Sequence, residues 1–498
     1  MFYPSEKEFI KLAGSSNIIA VYKEIMADIE TPISAYLKLD NGKFSYLLES
    51  VEGAEKIARF SFLGNDPLVV FKSKKKKVYI TEYEAGGSLK KRIFAADLSP
   101  LAELKKLMMN FKSHEVKGLP RFPGGFVGYI GYDTVRFFEP KLSKNMPKDD
   151  LKMADMYFIL AKNIIIFDHA RHRLKIMVNA YIKPHTKPSV KNLKNIYRLT
   201  CERIDELERS LRMDIPLKSM PKQTNRHLKF KSNLGRAVFK KMVYKAKEYI
   251  KAGEIIQVVL SQRFSASLSG SHFDIYRRLR SINPSPYMFY LNFDDIALAG
   301  SSPEMFVRCE NSVVQMRPIA GTRPRGRNKS EDLKLSQDLL ADKKERAEHL
   351  MLVDLGRNDL GRVCKFGSVE VDEFMTVERY SHVMHIVSNV KGRLNSGRSV
   401  FDIVPATFPA GTVSGAPKVR AMEIIDELEN VSRGPYAGCV GYFSLSGNLD
   451  TCITIRTVVM KGKTAYIQAG AGIVADSEPE KEYLETVNKA KAQMETLT

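Results

Sequence analysis

The most informative stretch of the chain is TAYIQAGAGIVADSEPEKEYLETVNKA, which spans residues 464–490. It begins with the pattern of a short strand and ends with the pattern of a helix. Ser477 and Glu480 have the spacing of a capping box, and Pro479 suits the first turn of a helix. We therefore predict a strand, a turn at Gly470–Gly472 and a terminal helix.

A glycine turn directly before a helix is a potential anion-binding site, because free backbone N–H groups point towards the ligand. The order Gly470-x-Gly472-x-x-Ala475 also matches the dinucleotide-binding fingerprint. That fold needs a second strand with an acidic residue about 20 residues further on, and none follows in this sequence. We expect anion binding here, with a plain strand-turn-helix as the alternative.

Two pairs of glutamates have i, i+3 spacing on predicted helices, so each pair shares one helix face. Glu345 and Glu348 lie on a helix predicted from Ser330 to Val353, and Glu482 and Glu485 lie on the terminal helix. Helical glutamate pairs are usually part of the solvated surface. Two facing pairs beside an anion site would repel one another unless a hard cation bridged them. We therefore predict a Mg²⁺ site, because Mg²⁺ prefers oxygen ligands.

The composition indicates a globular protein. The chain has 498 residues, of which 44% are hydrophobic and 27% are charged, and this length predicts two or three domains. Residues 1–14 lack the apolar run of a signal peptide, and no apolar stretch approaches the about 18 residues of a membrane helix. The five cysteines are scattered and odd in number. They favour a reduced, cytoplasmic protein without disulfides or a cysteine metal site.

The formal net charge of +21 is high. Such a charge suggests anionic ligands, an acidic partner or nucleic acid. The lysine run at residues 74–77 lies beside a predicted strand, and no RNA-binding aromatic signature or zinc-finger spacing is found. A solvated basic surface explains the charge, and we expect neither a nucleic-acid nor a membrane partner.

Strand and helix patterns occur in blocks rather than in regular alternation. Ile33–Leu39 and Phe44–Val51 alternate like strands around a hairpin signal at Asp40-Asn41-Gly42. Later strand patterns form a large, mostly antiparallel set, which predicts an α+β fold.

A polar and basic segment divides the chain in two. Residues 183–234 combine a helical pattern with a linker. We therefore predict an N-terminal part at residues 1–182 and a second part at residues 235–498.

Several motifs in a fixed order point to one protein family. The stretches concerned are Leu47–Ser50, Arg59–Gly64, Arg317–Arg323, Glu345–Arg362, Gly411–Lys418 and Gly470–Glu485. They resemble the chorismate-utilising enzymes over nearly the whole chain, and most of all the branch that makes anthranilate. The resemblance implies a two-part α+β assembly of packed, mostly antiparallel sheets with helices outside. Chorismate would bind to the second part.

Two positions separate the branches of this family. Its water-adding members carry a lysine base where this chain has Gln257, and the aminodeoxychorismate synthases carry a lysine where it has Ala320. Glutamine cannot act as a base, and alanine cannot form a covalent intermediate. The resemblance therefore implies attack of ammonia at C2 of chorismate. An aminodeoxychorismate or aminodeoxyisochorismate synthase is the alternative within the family.

The resemblance also implies the metal ligands and part of the substrate site. Glu348 and Glu485 would bind Mg²⁺, supported by Glu345 and Glu482. The ring carboxylate would be held by the metal, by Lys489 and by the backbone of three consecutive residues. These are Gly470, Ala471 and Gly472.

The remaining substrate contacts come from four motifs. Arg456 and Tyr436 would hold the enolpyruvyl carboxylate, and Gly321 and Thr322 would line the site. Thr412 would orient the substrate.

Two further residues are implied to move protons. Glu304 would be the general acid on the departing C4 hydroxyl. His385, rather than His382, occupies the motif position of the residue that assists pyruvate elimination.

The N-terminal part is implied to bind tryptophan as a feedback inhibitor. The residues that match this regulatory site are Glu49, Ser50, Asn283, Pro286, Tyr287 and Met288. The sequence lacks the Gly-x-Cys-x-Gly nucleophile motif of a glutamine amidotransferase. A separate glutamine amidotransferase subunit is therefore the implied source of ammonia. From another class of function, a basic nucleic-acid-binding protein on an inactive family fold remains open.

Overall fold

The structure is a computed structural model that describes residues 1–50, 59–83, 88–183, 188–215, 228–380 and 383–498. Its α-helices in these ranges are α1 (Glu6–Leu12), α2 (Pro32–Leu39), α3 (Pro100–Met109), α4 (Val190–Arg212), α5 (Arg236–Lys251), α6 (His272–Ile282), α7 (Lys329–Ala341), α8 (Lys343–Gly361), α9 (Val400–Thr407), α10 (Lys418–Leu428) and α11 (Pro479–Glu495). Among the described residues, no helix has both the length and the apolar character that crossing a membrane requires.

The strands make up about as much of the chain as the helices. They are β1 (Phe2–Tyr3), β2 (Ile18–Met26), β3 (Ser45–Glu49), β4 (Phe60–Lys74), β5 (Lys77–Tyr83), β6 (Leu89–Ala95), β7 (Gly125–Ile130), β8 (Met156–Asp168), β9 (Arg173–Tyr181), β10 (Lys231–Ser232), β11 (Gln257–Ser267), β12 (Tyr287–Phe293), β13 (Ile296–Ser302), β14 (Met305–Glu310), β15 (Val313–Met316), β16 (Ile319–Pro324), β17 (Glu370–Arg379), β18 (Val383–Arg393), β19 (Gly415–Ala416), β20 (Cys439–Ser444), β21 (Leu449–Ile453), β22 (Thr457–Lys461) and β23 (Thr464–Ile473).

Every ladder between these strands is antiparallel, and the ladders connect all of them into one network. The predicted α+β class with mostly antiparallel sheets is confirmed. Strands from the first and second halves of the chain pair directly, since β3 pairs with β12 and β7 pairs with β20. The predicted boundary at residues 183–234 falls after β9. Residues 216–227 of the expected linker lie outside the described residues, and the division stays a prediction.

One hydrophobic cluster lies between the sheet and the helices next to the terminal strand. Phe239 and Val243 of α5 and Ile424 of α10 pack in the same cluster as Val258 of β11 and Ala471 of β23. All five side chains are fully buried. Burial of a large apolar side chain contributes roughly 1.5–3 kcal/mol to stability, so this cluster holds α5, α10, β11 and β23 together.

The strand predicted at Ile33–Leu39 is wrong, because this segment is helix α2. The Thr31 hydroxyl accepts a hydrogen bond from the Ser34 N–H at 3.1 Å, and Pro32 occupies the first helical position. A side-chain cap together with an N-terminal proline favours a helix more strongly than an alternating pattern favours a strand. Gly42 has φ +76° between α2 and β3, in place of the expected hairpin turn.

The long helix predicted from Ser330 to Val353 is two helices. Asp342 ends α7 and caps α8, where its carboxylate accepts hydrogen bonds from the N–H groups of Lys344 and Glu345 at 3.0 and 3.2 Å. Glu345 therefore lies in the first turn of α8, where Asp342 caps its backbone N–H group.

The turn predicted at Gly470–Gly472 is also wrong, because all three residues lie within β23. Helix α11 begins at Pro479, which lies in its first turn as predicted, but the capping residue is Glu478 and the capping box at Ser477 is not formed. The Ser477 hydroxyl instead accepts a hydrogen bond from the Val474 N–H at 3.0 Å, and Glu480 pairs with Arg236 at 2.5 Å. The glycines are therefore not a helix N-terminal anion cradle.

Candidate active site

Strands β11 and β23 form the base of the candidate site. Val259 pairs with Gly472 and Ser261 pairs with Gly470. A Cβ atom at Gly472 would lie 2.4 Å from Nε2 of Gln257, and one at Gly470 would lie 2.8 Å from the Tyr436 hydroxyl. A Cβ atom at either position would force the neighbouring side chain to shift, so the two glycines allow Gln257 and Tyr436 to lie against the strand. Ala471, between them, is buried in the core.

Helix α8 brings one predicted glutamate pair to this strand. Gln257 Nε2 donates to the Glu348 carboxylate at 3.4 Å, whereas the buried Gln257 Oε1 has no hydrogen-bond partner among the described residues. Burial raises the pKa of Glu345, and the nearby charges of Glu348 and Asp342 raise it further. The structure thus places a crowded group of carboxyls next to Gln257.

The second glutamate pair, Glu482 and Glu485, lies on α11. Glu485 forms an ion pair with Lys489 at 2.6 Å, and Lys489 Nζ also lies 3.2 Å from the Gly470 carbonyl oxygen. Burial raises the pKa of Glu482, and the positive charge of Lys344 on α8 opposes this shift. Lys344 of α8 is therefore within electrostatic range of Glu482.

The two glutamate pairs do not merge into a single cluster. Across the described ranges, no group of three or more His, Cys, Asp or Glu side chains is close enough to hold a metal ion. The structure therefore brings the predicted ligands to one region without assembling them around a common point.

Arg456 connects several of the predicted residues. It helps to line a cleft of about 390 Å³ together with Glu485 and Lys489, and its Nη1 donates to the Lys489 carbonyl at 3.3 Å. Burial lowers the pKa of Arg456, and the charge of Glu485 opposes that shift. Arg456 also has φ +50°, a left-handed conformation that is strained for a residue with a side chain. Such strain is typical of functional sites.

Glu304 and Thr412 form a hydrogen-bonded pair. The Thr412 hydroxyl donates to Glu304 Oε1 at 2.9 Å. Burial raises the pKa of Glu304 to about 8, although the hydrogen bond from Thr412 and the charge of Lys489 both act to lower it. A carboxyl group with this pKa is protonated at neutral pH and can act as a general acid.

His385 is oriented by the neighbouring strand β16. Its Nδ1 lies 2.8 Å from the Gly321 carbonyl oxygen and 3.1 Å from the Thr322 hydroxyl. A carbonyl oxygen can only accept, so Nδ1 carries the proton and Nε2 of the neutral ring is free to accept one. Burial lowers the pKa of His385, and the charge of Arg456 lowers it further. His382 lies outside the described residues.

Gly321 permits a close approach between β16 and α8. Its φ of +70° is a left-handed conformation, and a Cβ atom there would lie 3.2 Å from Glu345 Oε2. The motif glycine therefore joins the strand that orients His385 to the helix that carries Glu345 and Glu348.

Two buried ion pairs behind the site were not predicted. Lys418 donates to Asp359 at 2.7 Å and links α10 to α8, and Arg433 binds Glu429 through two hydrogen bonds. Lys418 and Asp359 lie in motifs that the sequence does reveal. Arg433 lies three residues before Tyr436, so its position near the site was the available signal.

The residues predicted for an inhibitor site surround a second, smaller cavity of about 60 Å³. Its lining includes Glu49, Ser50, Pro286, Tyr287 and Met288. Asn283 is not part of the lining, because its side chain donates to the Ser301 hydroxyl at 3.1 Å.

Charged groups not predicted from the sequence hold this second cavity together. Arg280 pairs with the buried Glu49 at 3.2 Å. At another wall, Asp450 accepts a hydrogen bond from Tyr287 at 3.0 Å and pairs with Arg121 at 3.0 Å. Burial raises the pKa of Glu49, whereas the charge of Arg280 opposes that shift.

Known proteins resemble this chain over its full length. A family model described as chorismate binding enzyme matches residues 43–495. Anthranilate synthase component 1 of Acetivibrio thermocellus is 47% identical over 503 residues, covering 100% of this chain and 99% of the relative. The protein of the same name from Aquifex aeolicus is 48% identical over 494 residues, covering 99% and 97%.

Two solved structures also resemble this chain. Anthranilate synthase component I from Streptococcus pneumoniae has a TM-score of 0.76 at 38% identity, covering 94% of this chain and 98% of that chain. The menaquinone-specific isochorismate synthase from Escherichia coli has a TM-score of 0.71 at 18% identity and covers 99% of both chains. The latter likeness concerns the fold alone.

The Glu304–Thr412 pair gives a prediction about titration. In carboxyl-detected NMR of glutamate-labelled protein, the signal that is lost in Glu304→Gln should titrate near pH 8. In Thr412→Val it should titrate at higher pH, because the lost hydrogen bond favoured the carboxylate. Thr376→Val, which removes a hydroxyl bound to the Val387 carbonyl, should leave the Glu304 titration unchanged. An ordinary glutamate pKa near 4.5 in the wild type would contradict the assignment.

Proposed function

We propose that this chain, which belongs to the family of chorismate binding enzymes, is the component of an anthranilate synthase that aminates chorismate. Ammonia adds to C2 of chorismate, and the ring double bonds shift as the C4 hydroxyl leaves as water. Elimination of pyruvate then makes the ring aromatic and gives anthranilate. The relatives of similar length are anthranilate synthase components, which supports this choice.

The observation that carries the proposal is the position of Gln257. Its side chain lies against Gly472 and donates to Glu348, so it lies beside one of the predicted metal ligands. An amide cannot remove a proton from water at neutral pH. Ammonia needs no such activation, because its nitrogen lone pair is already available. Ala320 on β16 supplies no amine that could form a covalent intermediate.

Glu304 is the acid for the first step. As the C2–N bond forms and the C4–O bond breaks, Glu304 gives its proton to the departing hydroxyl, which leaves as water. The ammonium group formed at C2 loses one proton to solvent. The raised pKa of Glu304 keeps it protonated at neutral pH, and Thr412 orients the carboxyl group.

His385 is the base for the second step. Its Nε2 removes the proton at C2 while the bond between C3 and the enolpyruvyl oxygen breaks. The leaving enolpyruvate takes up a proton and becomes pyruvate. The hydrogen bond from Nδ1 to Gly321 keeps the imidazole in the tautomer that this step needs.

Cationic and hydroxyl groups hold the two carboxylates of chorismate. Arg456 and Tyr436 bind the enolpyruvyl carboxylate, and Lys489 binds the ring carboxylate near Gly470. Gly321 and Thr322 line the ring next to His385. The cationic side chains of Arg456 and Lys489 line one cleft, which supports binding of a dianion.

The residues present fit Mg²⁺. The predicted ligands Glu348 and Glu485, with Glu345 and Glu482 in support, offer only the hard oxygen donors that this ion prefers. Burial raises the pKa of Glu345 and Glu482, and repulsion from Glu348 and Glu485 raises it further, so a cation at this place would favour the charged forms. When bound, Mg²⁺ would neutralise these carboxylates and attract the ring carboxylate of the substrate. Water and that carboxylate would complete the ligand set.

The ammonia comes from a partner subunit with glutamine amidotransferase activity. The sequence contains no nucleophile motif for glutamine hydrolysis, and four of the five cysteines are buried. The relatives are designated component 1, which supports assembly with a second component. Free ammonium would serve as a substitute in vitro.

Tryptophan binds the second cavity and inhibits the enzyme. The cavity combines an acidic group, Glu49, with apolar walls from Pro286 and Met288, which offers a partner for an ammonium group and apolar contacts for a side chain. Strand β12 pairs Met288 with Glu49 and Tyr287 with Ser302. Ser302 lies two residues before Glu304, so a ligand in this cavity would act directly on the strand that leads to the catalytic acid.

The reaction itself can be assayed by fluorescence. The purified chain with chorismate, ammonium and Mg²⁺ should release anthranilate and pyruvate. Glu304→Gln should lower kcat about 10²–10⁴-fold, because it removes the general acid. At constant free ammonia, wild-type kcat should fall as the pH rises above about 8. Glu103→Gln, at a buried glutamate of α3, is the control and should retain full kcat.

A para-aminated or non-aromatic product would instead indicate an aminodeoxychorismate or aminodeoxyisochorismate synthase.

Metal binding can be measured without turnover. Isothermal titration should show Mg²⁺ binding to the wild type and at least about tenfold weaker binding to Glu348→Gln and Glu485→Gln, because each loses a charged ligand. Glu206→Gln on α4, which removes an exposed helical carboxylate, should bind Mg²⁺ like the wild type. If neither the wild type nor Glu348→Gln binds Mg²⁺, the metal assignment is wrong.

Inhibition by tryptophan has its own test. Micromolar to millimolar tryptophan should lower the wild-type rate, and Ser50→Leu should raise the half-inhibitory concentration at least about tenfold, because the larger side chain fills the cavity. Ser210→Leu at a half-buried position of α4 should be inhibited like the wild type. A wild-type rate that stays flat up to millimolar tryptophan would refute regulation at this cavity.

A further inference from the structure

Arg433 is the largest fully buried side chain among the described residues, with 2% of its surface exposed. Its guanidinium group makes four hydrogen bonds. Nε and Nη2 donate to the two carboxylate oxygens of Glu429 at 2.9 and 2.6 Å. Nη1 donates to the Val413 carbonyl and Nη2 to the Val259 carbonyl, both at 2.7 Å. Almost all of its donors are therefore in use, as a buried charge requires.

Glu429 is in turn held by strand β11. Its Oε1 accepts hydrogen bonds from the N–H and the hydroxyl of Ser261, both at 2.8 Å. The carboxylate is almost completely buried, so its charge depends on Arg433. The pair is bidentate and geometrically fixed.

The two carbonyls bound by Arg433 belong to separate parts of the active site. Val413 follows Thr412, whose hydroxyl binds Glu304. Val259 lies on β11 and pairs with Gly472 of β23. The guanidinium plane also lies 5.6 Å from the ring centre of Tyr436, whose hydroxyl approaches Gly470.

We propose that Arg433 is a positioning residue of this active site, which holds the Thr412 hydroxyl on Glu304 and the Tyr436 ring beside Gly470. Arg433 acts through these neighbours and not on the substrate. The inference rests on the proposed function, since it concerns the residues that bind and protonate chorismate.

The geometry favours this role over a purely structural one. An ion pair that only filled the core would be complete with Glu429 alone. Arg433 also directs two donors to carbonyls on different elements, and each of those elements carries a predicted site residue. A lysine ammonium is a single point and cannot span Glu429, Val413 and Val259 at once. Arg433→Lys therefore keeps the charge of the pair and releases the carbonyls.

The test compares Arg433→Lys with the wild type in steady-state kinetics and in the Glu304 titration. The variant should fold, with kcat about 10–100-fold lower. In the variant, the pH at which Glu304 titrates and the pH above which kcat falls should both be higher, as in Thr412→Val. Adding Thr412→Val to Arg433→Lys should cause a smaller loss of kcat than Thr412→Val causes in the wild type, because the two residues act through one hydrogen bond.

A matched control is Arg136→Lys. Arg136 is also buried and binds Asp426 through two hydrogen bonds, at 2.6 and 2.9 Å, but its bonds do not include Val413 or Val259. This variant should have a lower Tm, with an unchanged kcat and an unchanged Glu304 titration. The same pattern in Arg433→Lys, a lower Tm with wild-type kcat and wild-type titration, would overturn the proposal.

Two further outcomes are distinguishable. If Arg433→Lys does not fold, the double variant Arg433→Met/Glu429→Met removes both charges and keeps an apolar core. Its Glu304 titration should shift upwards, and an unchanged titration would overturn the proposal. If the wild type makes no anthranilate, the proposed function fails. The Glu304 titration still decides whether Arg433 positions Thr412, because it requires no turnover.

Discussion

The antiparallel pairing of β11 with β23 is the interaction on which the rest of the site depends. It joins two strands that are about two hundred residues apart in the sequence, and the packing of α5 and α10 around Ala471 stabilises the pair. The absence of side chains at Gly470 and Gly472 lets Gln257 and Tyr436 lie directly on the strand. Gln257, the first residue of β11, also donates to Glu348 and so connects this pair of strands to α8. A single register therefore places an amide and a phenol against one strand and connects them to a glutamate of α8.

The site contains charged groups that the folded chain alone does not neutralise. Burial and mutual repulsion raise the pKa of Glu345 and Glu482, and burial raises that of Glu304. Lys489 and Arg456 compensate only in part, and burial makes the charged form of Arg456 itself less favourable. Such groups reduce the stability of the protein, and a divalent cation and a dianionic substrate would offset that cost. The buried Arg433–Glu429 pair, by contrast, is fully paired, so it can act as a rigid support.

Local sequence signals predicted several elements and missed others for identifiable reasons. The α+β class and the start of α11 at Pro479 followed from pattern and turn chemistry. The alternation at Ile33–Leu39 indicated a strand, but the cap at Thr31 and the following proline produced a helix. The expected turn at Gly470–Gly472 is a strand, since its partner β11 supplies long-range hydrogen bonds that no local pattern contains. Gln257 and Ala320 could be interpreted from the sequence because their chemistry depends on residue type alone.

The sequence by itself determined the family, the residue types available for catalysis and the periodicity of most elements. These properties depend on local backbone preference and on the chemistry of single side chains. Only the tertiary structure decided that Thr412 binds Glu304, that His385 donates to Gly321, and that Arg433 joins Val413 to Val259. Each of these contacts joins residues that are distant in the chain. Their formation depends on strand register and close packing, which are properties of the whole fold and not of any one segment.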